Sequence, residues 1–237
     1  MRVEVYVMVN NEELLVPYIM RHYGRFAKVI FLESNSTDRT VDLGLSLGAE
    51  IRKYDIPDEM DNLVMLEIKQ SCWKGSKADW VMVVDADEFI YHPDIVGVLE
   101  RSKATVIHPT FHNMFSEVFP TTKGQIYEEI YMGTPDGGMW WSKMNTFRPD
   151  QITSMNYGIG AHTANPQGNV IIDNDSGLRT LRMNFLSRQY IKNRYARNRK
   201  RHTKRDIDNK WGLQSFWSDE QIDNFFEENI PKLIKLT

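Results

Sequence analysis

The stretch Ala78-Asp-Trp-Val-Met-Val-Val-Asp-Ala-Asp-Glu-Phe89 sets an unbroken apolar run, Trp80–Val84, directly before the carboxylates Asp85, Asp87 and Glu88. An apolar run of this length without alternation reads as a strand buried on both faces, as in a parallel sheet covered by helices. The carboxylates then stand at the carboxyl end of that strand, where ligands of such sheets gather. Asp85 and Asp87, spaced i and i+2, can both address a divalent cation and the groups it holds. Mg2+ and Mn2+ favour carboxylate oxygens together with phosphate oxygens. A solvated loop that only caps the next helix is the plainer reading, and the position just past a buried strand favours the first.

Working outward, the same unit recurs upstream. Arg2–Val9 reads as a strand, followed by the loop Asn10-Asn-Glu-Glu13 and a helix to about Tyr23, with Pro17 in its first turn or kinking it and Gly24 as its stop. Val29–Leu32 is a second strand. Ser36 reads as the N-cap of a helix ending at Gly48, and Ala49–Tyr54 as a third strand. A helix over about Glu59–Lys74, with Leu63, Leu66 and Cys72 facing inward and Gly75 after it, leads into Trp80. Strands alternating with helices predict an α/β fold with a mostly parallel sheet flanked by helices. After Pro93 one more helix and a strand near Thr105–His108 follow. Residues 111–175 are then rich in Gly, Trp, Tyr and Met, and Gly133-Thr-Pro-Asp-Gly-Gly138 is turn chemistry. A loop-rich aromatic stretch of this length is more often functional than idle. Helices return from Leu186, and the last begins near the N-cap Ser218.

Composition excludes several classes. Among 237 residues, 41% are hydrophobic and 26% charged, which fits a globular chain and neither a disordered nor a collagen-like one. The single cysteine, Cys72, permits no internal disulfide, and no apolar stretch approaches the roughly 18 residues of a membrane span. Met1–Val9 lacks signal-peptide anatomy, so a cytoplasmic protein is expected. The net charge of −3 hides an asymmetry: eleven of 29 Lys and Arg residues fall within 179–205, which holds no Asp or Glu, while 32 acidic residues lie elsewhere. A basic segment on an acidic body should seek phosphates.

Asn11-Glu-Glu13, Glu33-Ser-Asn-Ser-Thr-Asp38 and Ala78–Phe89, in this order and at these spacings, resemble the family 2-type glycosyltransferases, and within them the branch with an Asp-x-Asp-Glu-Phe signature. The likeness is specific over roughly residues 3–90. It continues weakly through Lys143, Arg148-Pro149 and His162. It implies a GT-A-like (Rossmann-like) fold, a nucleotide-sugar donor, UDP by family frequency, and a need for Mn2+ or Mg2+. Asp87 would bind the metal that bridges the donor diphosphate, and Asp85 would contact the ribose or the metal shell. Asn11 and Glu12 would flank the nucleoside. Glu33 stands where relatives usually place a base-contacting Asp, and Asp38 would cap that loop or touch the donor. On this reading residues 1–100 form a donor-binding half and 101–237 an acceptor-binding half of one compact catalytic domain.

The remaining candidates are weaker signals. His162, in Gly158-Ile-Gly-Ala-His-Thr163, is a candidate third metal ligand in a loop able to close tightly. His22, His92, His108 and His112 read as structural. Trp140 and Trp141 are candidates to stack on the acceptor, and Lys143 and Arg148 to neutralise the leaving diphosphate or anchor an anionic acceptor. An inverting mechanism needs a base for the acceptor hydroxyl, and Glu128, Glu129 and Asp136 are the choices, with no motif to separate them. The basic segment, with Arg194 and Arg197, has three readings: a helix set against the acidic body, a holder of the donor diphosphate, or a docking face for an anionic acceptor. That acceptor would be a glycan, a lipopolysaccharide core or a modified nucleic acid, and peripheral contact with an anionic surface stays open. Two rival functions are a nucleotidyltransferase on the same fold, which should show a Gly-rich loop that Val9–Glu13 lacks, and a non-enzymatic nucleic-acid-binding protein. The second leaves Asp85-Ala-Asp87 unexplained.

Overall fold

The computed structural model describes residues 1–54, 61–135 and 142–237. In chain order these form β1 (Val3–Val9), α1 (Val16–Tyr23), β2 (Lys28–Glu33), α2 (Thr40–Ser46), β3 (Glu50–Lys53), α3 (Asn62–Ser71), β4 (Trp80–Asp85), β5 (Glu88–Tyr91), α4 (Ile95–Arg101), β6 (Val106–Ile107) and β7 (Thr110–Phe115). They continue as α5 (Ile126–Glu129), β8 (Met132–Gly133), β9 (Thr146–Phe147), β10 (Ile152–Ser154), β11 (Gln167–Gly168), β12 (Ile172–Asp173), β13 (Arg179–Phe185), α6 (Arg188–Arg199), α7 (Lys204–Asp208), α8 (Asp219–Asn229) and β14 (Ile234–Lys235).

The main sheet, among the described residues, has the order β12-β6-β9-β4-β1-β2-β3. Strands β3, β2, β1 and β4 run parallel, while β9 enters antiparallel between β4 and β6. The expected mixed α/β architecture with a mainly parallel sheet is therefore present. Alternation explains why β1 and β4 take the centre, because successive side chains point to opposite faces. Val5, Val7, Trp80, Met82 and Val84 pack into one core with α1, whereas Tyr6, Met8, Val81 and Val83 join the other, which takes in Ile68, Cys72 and Phe147. Fully burying a side chain such as Met82 or Phe147 stabilises the fold by roughly 1.5–3 kcal/mol.

A second sheet, β14-β8-β7-β13-β5 among the described residues, adjoins the first through the short turn between β4 and β5. Asp85-Ala86-Asp87 is that turn. Beneath it β13 pairs antiparallel with β5 and parallel with β7. The strand order reverses between β1 and β4, so the crevice at their carboxyl ends is the switch point where α/β sheets bind ligands.

Several local expectations change. The cap expected at Ser36 is absent: α2 starts at Thr40, Ser36 Oγ accepts the Asn11 N–H at 3.1 Å, and Asp38 Oδ1 accepts the Thr40 N–H at 2.9 Å. Helix α3 is capped by Asp61, which accepts from Leu63 and Val64 N–H; Leu63 itself is exposed, while Cys72 is buried. Pro17 does sit in the first turn of α1, and Ser218 caps α8 in a reciprocal box with Gln221. Residues 111–175 contain more order than expected, since β7 and β9 belong to the two sheets. The division at residue 100 cuts through the main sheet, because β6, β9 and β12 come from beyond it. No described helix is long and apolar enough to cross a membrane.

Candidate functional site

A cleft of about 440 Å³ opens at the carboxyl ends of β1 and β4, within the size range of small-molecule sites. Among the described residues its walls carry the carboxylates Glu12, Asp85 and Asp87 against six cations: Lys69, Lys143, Arg182, Arg194, Arg201 and Lys210. Both halves of the chain contribute.

Two buried charge clusters organise the floor. In the first, Asp85 lies between two lysines, Lys69 Nζ at 2.6 Å from Oδ1 and Lys143 Nζ at 2.6 Å from Oδ2. Lys143 also meets Glu88 Oε1 at 2.6 Å, and Glu88 Oε2 accepts the Asp85 N–H at 3.1 Å. Burial penalises the charged forms here, but the two ammonium groups outweigh it at Asp85 and hold its carboxyl well below the usual range. Glu88 goes the other way: burial raises its pKa, the nearby Lys143 offsets this in part, and the Asp85 and Asp87 charges add to the rise.

In the second cluster Arg194 Nη1 lies 2.8 Å from Asp87 Oδ2, with Arg182 Nε at 3.4 Å from the same oxygen. Burial would raise the Asp87 pKa, yet the two guanidinium groups bring it below its ordinary value. Glu12 Oε1 takes Arg197 at 3.2 Å and Arg194 at 3.4 Å, and burial nevertheless leaves its pKa raised. Helix α6 supplies Arg194 and Arg197, and the next turn supplies Arg201, three or four residues apart on one helical face. Arg197 donates to Asn11 O and Arg201 to Asn10 Oδ1, so this face closes onto the loop after β1.

The expected donor, metal and acceptor residues divide in two. Glu12, Asp85, Asp87, Lys143, His162 and Arg194 line the one cleft. Asn11, Glu33 and Asp38 build the loops behind it. Asn11, at φ +53°, accepts the N–H groups of Thr37 and Asp38 on Oδ1, Glu33 accepts from Ser36 N–H, and Asp38 accepts from Glu13 and Thr40. Arg148 lies elsewhere: it donates to the carbonyls of Ser102 and Ala104 and stacks over Trp80 at 4.3 Å, which makes it a packing residue at the amino end of β4. Glu129 is likewise removed from the cleft wall. Its carboxylate accepts the N–H groups of Thr121 and Thr122, and Glu128 closes a capping box with Gln125. Asp136, Trp140 and Trp141 lie outside the described residues.

Most of the basic segment is neutralised within the molecule, which runs against an open docking face. Arg188 meets Glu117 and Asp223, Lys192 meets Asp223, Arg199 donates to Ser215 and Trp217 carbonyls, and Arg205 pairs with Asp61.

For a divalent cation the described residues offer one candidate carboxylate, Asp87. Among the described residues no three His, Cys, Asp or Glu side chains come together as a metal cage, and both Asp85 oxygens are taken by lysines. Asp87 differs, because both guanidinium contacts converge on Oδ2 and neither engages Oδ1. His162 follows a short 3-10 turn (Ile159–Ala161), and burial, with Lys143 and Arg182 nearby, lowers its pKa to about 4, so the ring is neutral at pH 7. Gly160 is at φ +69°, and a Cβ there would stand 2.8 Å from the His162 ring. One or two side chains completed by phosphate oxygens and water are the usual complement for Mg2+.

Sequence reasoning missed Lys69, Arg182 and Asn184. Lys69 was given no role, although it is only 4% exposed. The signal available was its place one residue after Ile68, on the turn of α3 that packs against the sheet. Arg182 and Asn184 sit in β13 between buried apolar neighbours, an alternation that marks a strand without revealing which site its polar face enters.

Among solved structures, the chain is similar to glucosyl-3-phosphoglycerate synthase from Mycobacterium tuberculosis in complex with Mn2+, UDP and glucosyl-3-phosphoglycerate, at 19% identity and a TM-score of 0.36 over 46% of this chain and 44% of that one. It is also similar to mannosyl-3-phosphoglycerate synthase from Rubrobacter xylanophilus, at 18% identity and a TM-score of 0.35 over 47% of this chain and 40% of that one. The chain thus spans less than half the length of these structures. No protein-family model and no curated protein matches it.

Proposed function

We propose that the cleft is the donor site of a GT-A-like glycosyltransferase that moves a sugar from a nucleoside-diphosphate sugar, UDP-sugar first among the candidates, to an acceptor hydroxyl. The observation that carries this reading is the charge of the cleft: among the described residues, six lysine and arginine side chains against three carboxylates, at the switch point of a parallel sheet and around Asp85-Ala86-Asp87. A diphosphate is the small ligand group that such a surplus suits, and bidentate guanidinium contacts favour phosphate oxygens. Glu12 and Asn10 line the wall at the end of β1, on the side where the nucleoside would lie.

In this reading Lys143 and Arg182 stabilise the negative charge that grows on the departing diphosphate, and they are held ready by Asp85, Glu88 and Asp87, so little reorganisation accompanies the reaction. Asp87 and His162 would hold Mn2+ or Mg2+, which as a Lewis acid would share the leaving-group charge. Arg201 and Lys210 on the same wall suit an acceptor with an anionic group, such as an acidic glycan or a modified nucleic acid. The nucleic-acid-binding alternative loses its main support, since the basic segment is largely spent on the protein's own carboxylates and carbonyls.

The test is thermal unfolding against UDP, GDP, CDP and TDP, each with and without Mn2+, on the wild type and on Asp87→Ala. A ligand at one hundred times its Kd raises stability by about 2.7 kcal/mol. A shift with one nucleotide that grows with Mn2+ and shrinks in the variant is expected. No shift with any of the four would overturn the donor-site reading.

A further inference from the structure

Arg194 stands where two strand ends meet. From α6 its Nη1 donates to Asp87 Oδ2 at 2.8 Å and to Asn184 Oδ1 at 2.9 Å, while its Nη2 lies 3.4 Å from Glu12 Oε1. Asp87 follows β4, Glu12 follows β1, and these strands are neighbours in the sheet. Two buried carboxylates in such proximity repel unless a cation lies between them. The guanidinium is that cation, and its side chain is 13% exposed on the wall of the cleft.

A divalent cation on Asp87 would satisfy the same requirement. The surroundings also allow Arg194 to give way without leaving a bare charge. Glu12 keeps Arg197 at 3.2 Å, Asp87 keeps Arg182 at 3.4 Å, and Asn184 still anchors the departing guanidinium. We infer that Arg194 is a stand-in cation: it holds Asp87 and Glu12 in place while the cleft is empty, and it yields Asp87 when a divalent cation arrives with the nucleoside diphosphate. Its released N–H groups are then available to the anionic ligand. This rests on the reading of Asp87 as a metal-holding residue. It predicts competition between one side chain and the metal, and a coupling between metal and nucleotide that depends on that side chain.

The experiment measures Mn2+ binding to the full chain through the electron paramagnetic resonance signal of free Mn2+, with and without UDP. Wild type, Arg194→Met, Arg194→Gln and Asp87→Asn are compared, the glutamine variant serving if the methionine one does not fold. Without nucleotide, the Arg194 variants bind Mn2+ about tenfold more tightly than the wild type, because the competing cation is gone, and the further gain on adding UDP shrinks. Their melting temperature falls without metal and recovers with Mn2+ by more than the wild type gains. Equal or weaker Mn2+ binding in the Arg194 variants, with Asp87→Asn abolishing it, overturns the stand-in role and leaves the metal reading intact. Wild-type binding that survives Asp87→Asn unchanged overturns both.

Discussion

Replacing Lys143 by methionine probes how the first charge cluster is held. The side chain is 3% exposed and its ammonium touches two carboxylates, Asp85 and Glu88, each at 2.6 Å. Asp85 retains Lys69 after the change, but Glu88, itself 1% exposed, keeps only the Asp85 N–H among the described residues. Removing one partner of a buried pair costs about 3–5 kcal/mol. Glu88 can escape part of this by taking up a proton, a course that burial already favours. The loss at pH 7 is therefore set at about 3 kcal/mol, or roughly 6–12 °C in Tm for a chain of this size. Glu88 in the variant has a folded-state pKa further above its unfolded value. Its penalty is therefore largest above that folded pKa and fades as pH falls toward the unfolded one. Urea unfolding at pH 7 and pH 5 reads this directly: the deficit of Lys143→Met is smaller at pH 5, and Lys143→Met with Glu88→Gln recovers at least about 1 kcal/mol at pH 7. A deficit below about 1 kcal/mol, or a double variant no better than the single one, would refute the account.

Two further predictions concern residues outside the cleft. His22 is 1% exposed with Nε2 2.9 Å from Ile90 O, and burial lowers its pKa to about 3. The unfolded chain accepts a proton on His22 below about pH 6.5 that the fold refuses, so the His22 contribution to stability falls by about 1.4 kcal/mol per pH unit below that point. His22→Gln should show a flatter urea-midpoint profile between pH 6.5 and 4.5, and parallel profiles would count against the neutral buried ring. Arg148→Met should lose about 1–2 kcal/mol of stability with the carbonyl bonds to Ser102 and Ala104, while nucleotide affinity in titration calorimetry stays unchanged. A weakened nucleotide Kd with unaltered stability would return Arg148 to the proposed nucleotide site.

Much of the cleft at β1 and β4 was legible because its cause is local. The unbroken run Trp80–Val84 and the run Val3–Val9 could be buried only in the middle of a sheet, and the carboxylates after the first had to fall at its carboxyl edge. Pro17 and the cap Ser218 worked for the same reason, since each acts within one helical turn. Ser36 misled because three residues in a row, Ser36, Thr37 and Asp38, can cap, and the choice fell to the loop after β1. What no local pattern shows is which distant elements meet. The antiparallel entry of β9, the pairing of β13 between β5 and β7, and the burial of Lys69 against Asp85 are facts of packing. Glu129 and Arg148 were drawn toward the site by residue type, while backbone groups near each in space claimed them.

The closure of α6 onto the loop after β1 has a consequence for how the protein is made. Arg197 reaches Asn11 and Arg201 reaches Asn10, partners 186 and 191 positions apart in the chain. Contacts of such long sequence separation are slow to form, because the chain must first give up the freedom of everything between them. During synthesis β1 to β4 can pair as soon as they emerge, yet Glu12 and Asp87 then wait without their guanidinium partners until Arg182, Arg194 and Arg197 have emerged in turn. A nascent chain would thus have its sheet well before its cleft, with uncompensated acidic strand ends at the switch point in the interval.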